Sequence, residues 1–324
     1  MSTIKKIEKL LRNDLNHFEA VFKTAMNSNV ALLDIVLRYI HKQKGKKMRP
    51  MFVFLSAHIC GQVNEATYRA ASLIELLHTA TLIHDDVVDD AEKRRSLFSI
   101  NALWKNKIAV LAGDFLLSKG LSLALAAKDY EVLEIVSEAT REMAEGELLQ
   151  IEKARRLDIK EEIYFEIIRK KTATLISSCC AVGAVSSGAD KETIEKMALF
   201  GEYVGIAFQI KDDIFDFQKT NVIGKPVGID IKEQKMTLPL IYMLNNLGSS
   251  DRSKAIKTVK KDHNKPEKVA LLVDQVIASG GIEYAQKQMF LYRDKALSLL
   301  NDFKESEYKE SLIELVNYSC ERKK

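Results

Sequence analysis

The chain has 324 residues, of which 47% are hydrophobic, and its 49 basic and 45 acidic side chains leave a net charge of +4. This near balance argues against a basic, non-specific nucleic-acid binder. Only 4 prolines and 14 glycines interrupt a sequence rich in Leu, Ala, Glu, Lys and Ile, so the composition favours long helices and predicts an all-α protein.

Apolar residues recur at helical spacing from Ile4 to Ile40, again from Phe52 to His84, and then almost without interruption to Tyr318. No linker interrupts this pattern, so we expect a single domain over residues 1–324. The charged stretch 247–265 is predicted to be a solvated loop or a surface helix. Other breaks are predicted at residues 44–50, 94–99, 158–160, 188–191 and, as a longer polar loop, 218–235.

The four cysteines, Cys60, Cys179, Cys180 and Cys320, show no metal-ligand spacing and are expected to be free thiols in a reducing compartment. Residues 1–10 lack the apolar core of a signal peptide. The uncharged run 172–189 has about the length of a membrane helix. Its Ser, Gly, Ala, Cys and Thr content favours a close-packed buried helix instead, so we expect a cytoplasmic protein without a transmembrane segment.

An acidic pattern occurs twice, because residues 83–89 and 210–216 both read Ile-x-Asp-Asp-apolar-apolar-Asp. On a helix, positions i and i+4 share a face, so the first and last aspartates of each triplet project together. These like charges repel, and each triplet follows an apolar helical stretch, so a cation is expected to neutralise it. Hard divalent ions fit carboxylate oxygens, and Mg²⁺ also binds substrate phosphates. One copy alone would be read as a charged helix end, whereas two copies favour a metal and diphosphate site.

Basic residues provide a complement to such a site. The segment 45–50, Gly-Lys-Lys-Met-Arg-Pro, is a turn with three cations and a proline suited to start the next helix, and it lacks the P-loop pattern. Arg94 and Arg95 suit either bidentate binding of a diphosphate or structural salt bridges. Taken alone, the segment is more often a solvated loop, and His78, Lys171 and Gln209 would each be unremarkable.

Together these segments resemble the trans-isoprenyl diphosphate synthases of the polyprenyl synthetase family, in colinear order over roughly residues 44–244. The resemblance implies one helical bundle around a deep central cavity, with the two triplets facing each other and three Mg²⁺ ions between them. It also implies a homodimer. The matching motifs are Gly45–Pro50, Glu75–Asp89, Arg94-Arg95, Leu111–Leu117, Lys171-Thr172, Phe208–Asp216, Gly224–Pro226 and Lys235–Pro239.

The resemblance implies a role for individual residues as well. The metal ligands would be the six triplet aspartates, with the last three in support: Asp85, Asp89, Asp212, Asp86, Asp213 and Asp216. The allylic diphosphate would be bound by Arg94, Lys171, Lys225 and Lys235. Isopentenyl diphosphate would be bound by Lys46, Arg49, His78, Arg95 and Phe208. The residues acting at the reacting centre would be Lys171, Thr172, Gln209 and Lys225.

The implied reaction is ionisation, condensation and elimination. Metals and cations stabilise the departing pyrophosphate, so the allylic C–O bond ionises, and the double bond of isopentenyl diphosphate attacks the carbocation. Loss of a proton completes the elongation. Positioning and electrostatics carry this chemistry, so no nucleophilic side chain is required.

Product length is predicted from the helix that carries Asp85. Family members that stop early usually have an aromatic residue near five positions before the first aspartate. Here that position is Ala80, with Thr81 beside it, so the floor of the cavity is predicted to be open. We expect a product longer than farnesyl or geranylgeranyl diphosphate, of the octaprenyl type, with Leu77 and Ile74 as deeper candidates for the floor.

Two departures from the family pattern and three other classes of protein bear on this interpretation. Ser96-Leu97 stands where the family usually has a glycine before a proline, which weakens the role of Arg95, and Gln150 replaces an aspartate of shorter-chain relatives.

A terpene cyclase would have Asn, Ser and Glu in its second motif and would lack the Lys46/Arg49 segment. A non-catalytic subunit of a heteromeric synthase would commonly lose acidic residues from the triplets. A basic helical nucleic-acid binder ranks last because of the charge balance.

Overall fold

The structure is a computed structural model that describes residues 3–42, 45–94, 97–156, 160–218 and 228–322. These residues are almost entirely helical, which confirms the all-α prediction. A π-helical turn, Arg169–Ala173, joins two of the helices, and β1 (Lys93–Arg94) pairs antiparallel with β2 (Leu97–Phe98). The α-helices are α1 (Thr3–Leu10), α2 (Arg12–Ala25), α3 (Ala31–Lys42), α4 (Met48–Cys60), α5 (Glu65–Val88), α6 (Ile100–Ala127), α7 (Tyr130–Arg156), α8 (Glu161–Ile168), α9 (Thr174–Ser186), α10 (Lys191–Phe215), α11 (Ile229–Lys232), α12 (Leu238–Asn246), α13 (Ser249–Lys261), α14 (Pro266–Ala278), α15 (Gly281–Ser298) and α16 (Glu307–Glu321).

The chain divides into two compact units. The first comprises residues 1–138, 178–198 and 302–314, and within it α5 packs against α2, α4 and α6. Its core includes the fully buried Phe52, Phe54 and Leu73. Burying each such side chain contributes about 1.5–3 kcal/mol. The single-domain interpretation stays a prediction.

The second unit comprises residues 139–177, 199–301 and 315–324. Within it α12 packs against α8, α14 and α15. Phe217, Leu238 and Val273 belong to its buried apolar cluster. This cluster surrounds the C-terminal part of α10, where the second acidic triplet lies.

Side-chain caps fix where α5 and α6 begin. Asn64 accepts hydrogen bonds from the N–H groups of Ala66 and Thr67, and the Thr67 hydroxyl accepts one from the N–H of Asn64. This capping box satisfies N–H groups that have no partner within the helix. Ser99 caps α6 in the same sense, because its hydroxyl accepts from the N–H of Ala102.

The predicted breaks match the structure unevenly. Helix α4 begins at Met48, so the prediction that Pro50 starts this helix was wrong by two residues; proline is tolerated there because the first-turn N–H groups lack helical partners. The stretch 247–265 contains the surface helix α13, and the run 172–189 contains the largely buried α9, both as predicted. The pairing of β1 with β2 was not predicted.

Helix α6 is long and apolar enough to cross a membrane by length and composition, with a mean hydropathy of 1.7 over its most apolar window. It lies along α5, because a Cβ added to Gly120 would come within 2.8 Å of Leu73 Cδ1. One residue within it, Lys105, is not helical and has φ 69° and ψ 164°. The prediction that the chain lacks a transmembrane segment stays a prediction.

Candidate active site

The first acidic triplet lies at the C-terminal end of α5. Asp85 is half-buried, Asp86 is buried, and Asp89 is exposed and caps the helix, with its N–H bonded to the Asp85 carbonyl at 2.8 Å. The C-terminal end of a helix carries a partial negative charge, so carboxylates there are unfavourable without cations nearby. At this position the triplet is therefore stable only with positive charge close to it.

Arg94 supplies one cation to this triplet. It donates from Nε at 2.8 Å and places Nη2 at 2.7 Å, both on Oδ1 of the buried Asp86. The arginine belongs to β1, so the hairpin holds it against the end of α5. The structural salt bridge that the sequence left open for Arg94 is therefore present.

A cavity of about 100 Å³ adjoins this end of α5 in the first unit. Its lining includes Lys47, His78, Asp86 and Arg94, together with apolar side chains such as Phe22. Of the residues predicted to bind isopentenyl diphosphate, His78 lines this cavity and is 8% exposed. Cationic and aromatic side chains around a small cavity suit an anionic group with an apolar tail.

Arg49 and Glu75 form a loose pair beside this cavity. Arg49 Nη1 lies 3.7 Å from Glu75 Oε2, and that oxygen is buried without a hydrogen-bond partner among the residues that the structure describes. Lys46 is exposed at the start of the same segment, and its neighbour Lys47 pairs with Glu19. Arg95 lies outside the described residues. A buried carboxylate oxygen without a donor is costly, so Glu75 indicates a place for a donor from a ligand or from a rearranged Arg49.

The second triplet lies at the C-terminal end of α10, as the first does on α5. Asp212 is 41% exposed, whereas Asp213 and Asp216 are buried. Asp213 accepts hydrogen bonds from the Tyr164 hydroxyl at 2.7 Å and from Gln209 Nε2 at 2.8 Å. Burial, reinforced by the charge of Asp230, raises the pKa of Asp213 to about 7.

Asp216 follows the last residue of α10 and organises the next segment. Its two carboxylate oxygens accept from the N–H groups of Ile229, at 2.9 Å, and Asp230, at 3.1 Å. These N–H groups belong to the first turn of α11 and have no helical partners of their own. Asp216 therefore caps α11 from a distance in sequence.

A hydrogen-bonded chain leads from the second triplet to the π-helical turn. Thr172 Oγ1 donates to Gln209 Oε1 at 2.8 Å, and Gln209 in turn bonds Asp213. A π-helical turn often marks a functional site. Gly205 lets α10 approach this turn, because a Cβ there would come within 2.4 Å of Ala173 Cα.

Two of the three predicted lysines of the second unit, Lys171 and Lys235, have acidic partners. Lys171, in the π-helical turn, pairs with Glu147 of α7, and Lys235 bonds Glu233 at 2.5 Å. Phe208 lies one helical turn before Asp212 on α10. Lys225 lies outside the described residues. The predicted roles of these residues toward substrate stay predictions.

The two triplets are similar in which of their aspartates are buried. In each, the second aspartate is buried and bonded to protein donors, while the first is partly exposed. The third differs, because Asp89 is exposed and Asp216 is buried. Within the described part of the chain, no three His, Cys, Asp or Glu side chains are grouped to hold a metal by themselves. Mg²⁺ fits this arrangement, because it commonly takes one or two carboxylates and completes its shell with water and phosphate oxygens.

The four residues predicted to form the cavity floor divide between faces of α5. Thr81 lies one turn before Asp85 on the same face, is half-buried, and donates from Oγ1 to the His78 carbonyl. Ala80 is buried and shares a face with Leu73 and His84, which lie against Gly120 and Gly113 of α6. Leu77 and Ile74 are also buried.

Four residues near the triplets were not predicted from the sequence. Tyr164 and Asp230 surround Asp213, Glu75 lines the cavity of the first unit, and Arg322 donates to Asp212. Glu75 stands eleven positions, about three helical turns, before Asp86 and shares its face of α5, so its position within a motif already singled out was a usable signal. Tyr164 and Arg322 come from distant parts of the chain and carry no local pattern.

The fold and these residues define a class: an all-helical protein in which two helices end in matched aspartate triplets, each with an arginine bonded to one of its carboxylates. Such a set of oxygen ligands and cations suits the handling of diphosphates with divalent metals.

Comparison with known proteins gives the family. The family model for polyprenyl synthetase matches residues 30–276. Octaprenyl diphosphate synthase from Escherichia coli (strain K12) is 33% identical over 320 residues, which cover 98% of this chain and 99% of that protein. The chain therefore belongs to the polyprenyl synthetase family, and it is a transferase, a polyprenyl diphosphate synthase.

Two solved structures support the fold. A polyprenyl synthase from Caulobacter crescentus CB15, complexed with calcium and isoprenyl diphosphate, has a TM-score of 0.90 and 30% identity, with 98% of each chain covered. A geranylgeranyl pyrophosphate synthase from Bacteroides thetaiotaomicron has a TM-score of 0.86 and 38% identity, with 99% of this chain and 100% of that chain covered. The family thus includes a structure with a divalent metal, and its members differ in product.

Proposed function

We propose that this enzyme condenses isopentenyl diphosphate with an allylic diphosphate, in the presence of Mg²⁺, to give a medium- or long-chain all-trans polyprenyl diphosphate of the octaprenyl type. The observation that carries the proposal is that both triplets combine buried aspartates with aspartates that solvent can reach. Asp86 and Asp213 are buried, whereas Asp85, Asp89 and Asp212 retain access to solvent.

In this proposal the solvent-accessible aspartates bind the metal and the buried ones support them. Asp85, Asp89 and Asp212 would contribute carboxylate oxygens, while Asp86, Asp213 and Asp216 hold the ends of the helices in place. When bound, Mg²⁺ supplies charge that stabilises the pyrophosphate as it leaves. The number of ions per site, three by resemblance, is part of the proposal.

The basic residues would bind the two diphosphates. Lys47, His78 and Arg94 around the cavity of the first unit support an anion site there, and Arg49 lies beside it. In the second unit the bonded Thr172 and Gln209 hold a polar surface next to Asp213. Polar groups that are held in place in this way stabilise developing charge without reorganising at the moment of reaction. Lys46, Lys171 and Lys235 remain candidates for phosphate contacts.

The length of the product is the most specific part of the proposal. The small Ala80 and Thr81, together with the likeness to an octaprenyl diphosphate synthase, support a product longer than geranylgeranyl diphosphate. The 38% identity to a geranylgeranyl pyrophosphate synthase supports the shorter product as a second candidate. Incubation with Mg²⁺, an allylic diphosphate and labelled isopentenyl diphosphate, followed by sizing of the products, separates the two. Absence of any elongated product would refute the proposed reaction.

The proposed metal ligands are tested by Asp85→Asn and Asp212→Asn. Each variant should lower kcat by about 100-fold or more, as loss of a group that stabilises developing charge commonly does. Asp90→Asn is a matched control, since it neutralises an exposed carboxylate next to the first triplet at a φ of 49° that asparagine tolerates. Near-normal turnover in both triplet variants would remove the metal assignment.

We also propose a homodimer, and an apolar stripe on α6 supports it. Val110, Leu111 and Leu125 lie on one face of this helix and are 39%, 55% and 59% exposed. Apolar side chains grouped on one surface favour association with another surface. Light scattering should give a dimer for the wild type and a monomer for Leu111→Glu/Leu125→Glu. The equally exposed Leu271 of α14 provides the control variant Leu271→Glu, and a monomeric wild type would refute the dimer.

A further inference from the structure

Arg322, the residue after α16, is bonded to the first aspartate of the second triplet. Its Nη2 donates a short, charge-assisted hydrogen bond to Asp212 Oδ1 at 2.6 Å. The arginine side chain is 17% exposed, although its partner is 41% exposed. The pair brings together residues 110 positions apart in the chain.

Two aromatic rings hold the guanidinium in place. Its carbon lies 4.1 Å from the ring centre of Phe208 and 5.6 Å from that of Phe215. These residues stand four positions before and three after Asp212, so they flank it on one face of α10. A guanidinium stacks well on aromatic faces, and Nε also donates to the Ser319 carbonyl at 3.3 Å. Exposed ion pairs that are not held in this way contribute little to stability.

We infer that Arg322 is the counter-ion of Asp212 in the metal-free protein and competes with the divalent cation for that carboxylate. The inference rests on the proposed role of Asp212 in metal binding. Mg²⁺ binds carboxylate oxygens at about 2.0–2.1 Å. A cation at that distance and a guanidinium on the same carboxylate would repel each other in a partly buried setting. Metal binding at Asp212 therefore requires Arg322 to weaken or break its hydrogen bond.

This competition gives the second triplet a resident positive charge when no metal is bound. The carboxylates at the end of α10 would otherwise repel one another and the negative end of the helix. Arg322 offsets that repulsion, and it lowers the apparent metal affinity by the free energy of its own bond. The C-terminal end of α16 is thereby coupled to occupancy of the site.

The test measures metal binding rather than turnover. Mn²⁺ is titrated into the purified full-length protein, and free Mn²⁺ is followed by electron paramagnetic resonance. Arg322→Gln should tighten Mn²⁺ binding by about 2- to 5-fold, because a partly exposed ion pair contributes up to about 1 kcal/mol and a tenfold change in affinity corresponds to about 1.4 kcal/mol. Arg322→Lys keeps the charge but loses the planar stacking, so it should tighten binding less.

Arg293→Gln is the matched control. Arg293 also donates to an aspartate and stacks on a ring, at 2.8 Å from Asp294 and 4.6 Å from Phe290, and its partner Asp294 lies outside the triplet. Its charge acts on Cys320, as that of Arg322 does, so it also controls for the general field at this end of α16. Mn²⁺ affinity should not change in this variant. Equal or weaker binding in Arg322→Gln, with the fold verified by circular dichroism, would overturn the inference.

Asp212→Asn separates this inference from the proposed function. It should weaken Mn²⁺ binding, and adding Arg322→Gln to it should then have no further effect, since the competed carboxylate is gone. If Asp212→Asn binds Mn²⁺ as the wild type does, both the metal role of Asp212 and the competition are refuted, whatever the transferase assay gives. If Arg322→Gln does not fold, the Arg322→Lys titration and its double variant with Asp212→Asn decide the question.

Discussion

Tyr164 donates a 2.7 Å hydrogen bond to Asp213, and both side chains are buried in the second unit. Gln209 donates to the other oxygen of the same carboxylate, so both Asp213 oxygens have protein partners. Burial raises the pKa of Tyr164 well above its usual value, and the adjacent carboxylate adds to this effect. Tyr164 therefore stays a donor throughout the physiological range, and it fixes the aspartate behind the exposed Asp212.

The raised pKa of Asp213, about 7, predicts a pH-dependent stability of the metal-free protein. The folded state holds this proton more tightly than the unfolded state, where the pKa is near 3.9. The stabilisation is therefore fully present below about pH 4 and is lost as the pH rises through 7, at up to about 1.4 kcal/mol per pH unit. Asp230, whose pKa burial raises to about 6, acts in the same direction.

Asp213→Asn should flatten this pH dependence without unfolding the protein. The amide oxygen accepts from Gln209, and the amide nitrogen donates to the Tyr164 hydroxyl, so the geometry of both hydrogen bonds is retained. Urea denaturation in EDTA between pH 5 and 8 measures the effect. A variant as steeply pH-dependent as the wild type would show that Asp213 does not hold the proton.

Lys105→Gly should stabilise the protein. Lys105 interrupts α6 with φ 69° and ψ 164°, a region that glycine adopts without strain and other residues populate at a cost of about 1–3 kcal/mol. Relief of this strain should raise the unfolding free energy by about 1 kcal/mol. Lys107→Gly is the control, because this exposed residue has regular helical geometry and its change should destabilise by about 1 kcal/mol. Thermal melts of the two variants that move in the same direction would contradict the prediction.

Glu75→Gln should weaken the binding of isopentenyl diphosphate at the cavity of the first unit. The buried Oε2 lies 3.7 Å from Arg49 and has no hydrogen-bond partner in the described part of the chain, so the carboxylate holds the guanidinium mainly by its charge. With that charge removed, Arg49 should be less well placed, and KM for isopentenyl diphosphate should rise several-fold while kcat changes less. Steady-state kinetics with each substrate varied in turn measures this. An unchanged KM for isopentenyl diphosphate would separate Glu75 from that site.

The sequence predicted the helical fold and the two triplets because both depend on local periodicity. A spacing of four places Asp85 with Asp89 whatever the tertiary structure. A salt bridge of Arg94 with the nearby aspartates was one of two predicted alternatives. It could be predicted because Arg94 lies only eight residues after Asp86. The hairpin was missed because strands of two residues leave no alternation to detect.

The partners of the second triplet could not be predicted in the same way. Tyr164 lies 49 residues from Asp213, and Arg322 lies 110 residues from Asp212. Neither residue type is unusual in its own segment, so only the packing of α8 and α16 against α10 reveals them. The sequence likewise could not show which aspartates are exposed, because the repeated pattern is identical while Asp89 and Asp216 differ in burial.

The position of Thr81 refines the prediction of product length. Thr81 lies one turn before Asp85 on the same face, whereas Ala80 lies on the face that packs against α6. Thr81→Phe should therefore shorten the product with little loss of stability. Ala80→Phe should also shorten it, but its ring must fit beside a helix already in contact, so the unfolding free energy should fall by about 1–3 kcal/mol.

Labelled isopentenyl diphosphate and sizing of the products measure this effect, and thermal melts report stability. Leu271→Phe is the control, because it adds an aromatic ring at an exposed site on α14. Its product and melting temperature should match those of the wild type. If both α5 variants give wild-type products, the growing chain passes neither of these two positions of α5, and the floor must be formed elsewhere.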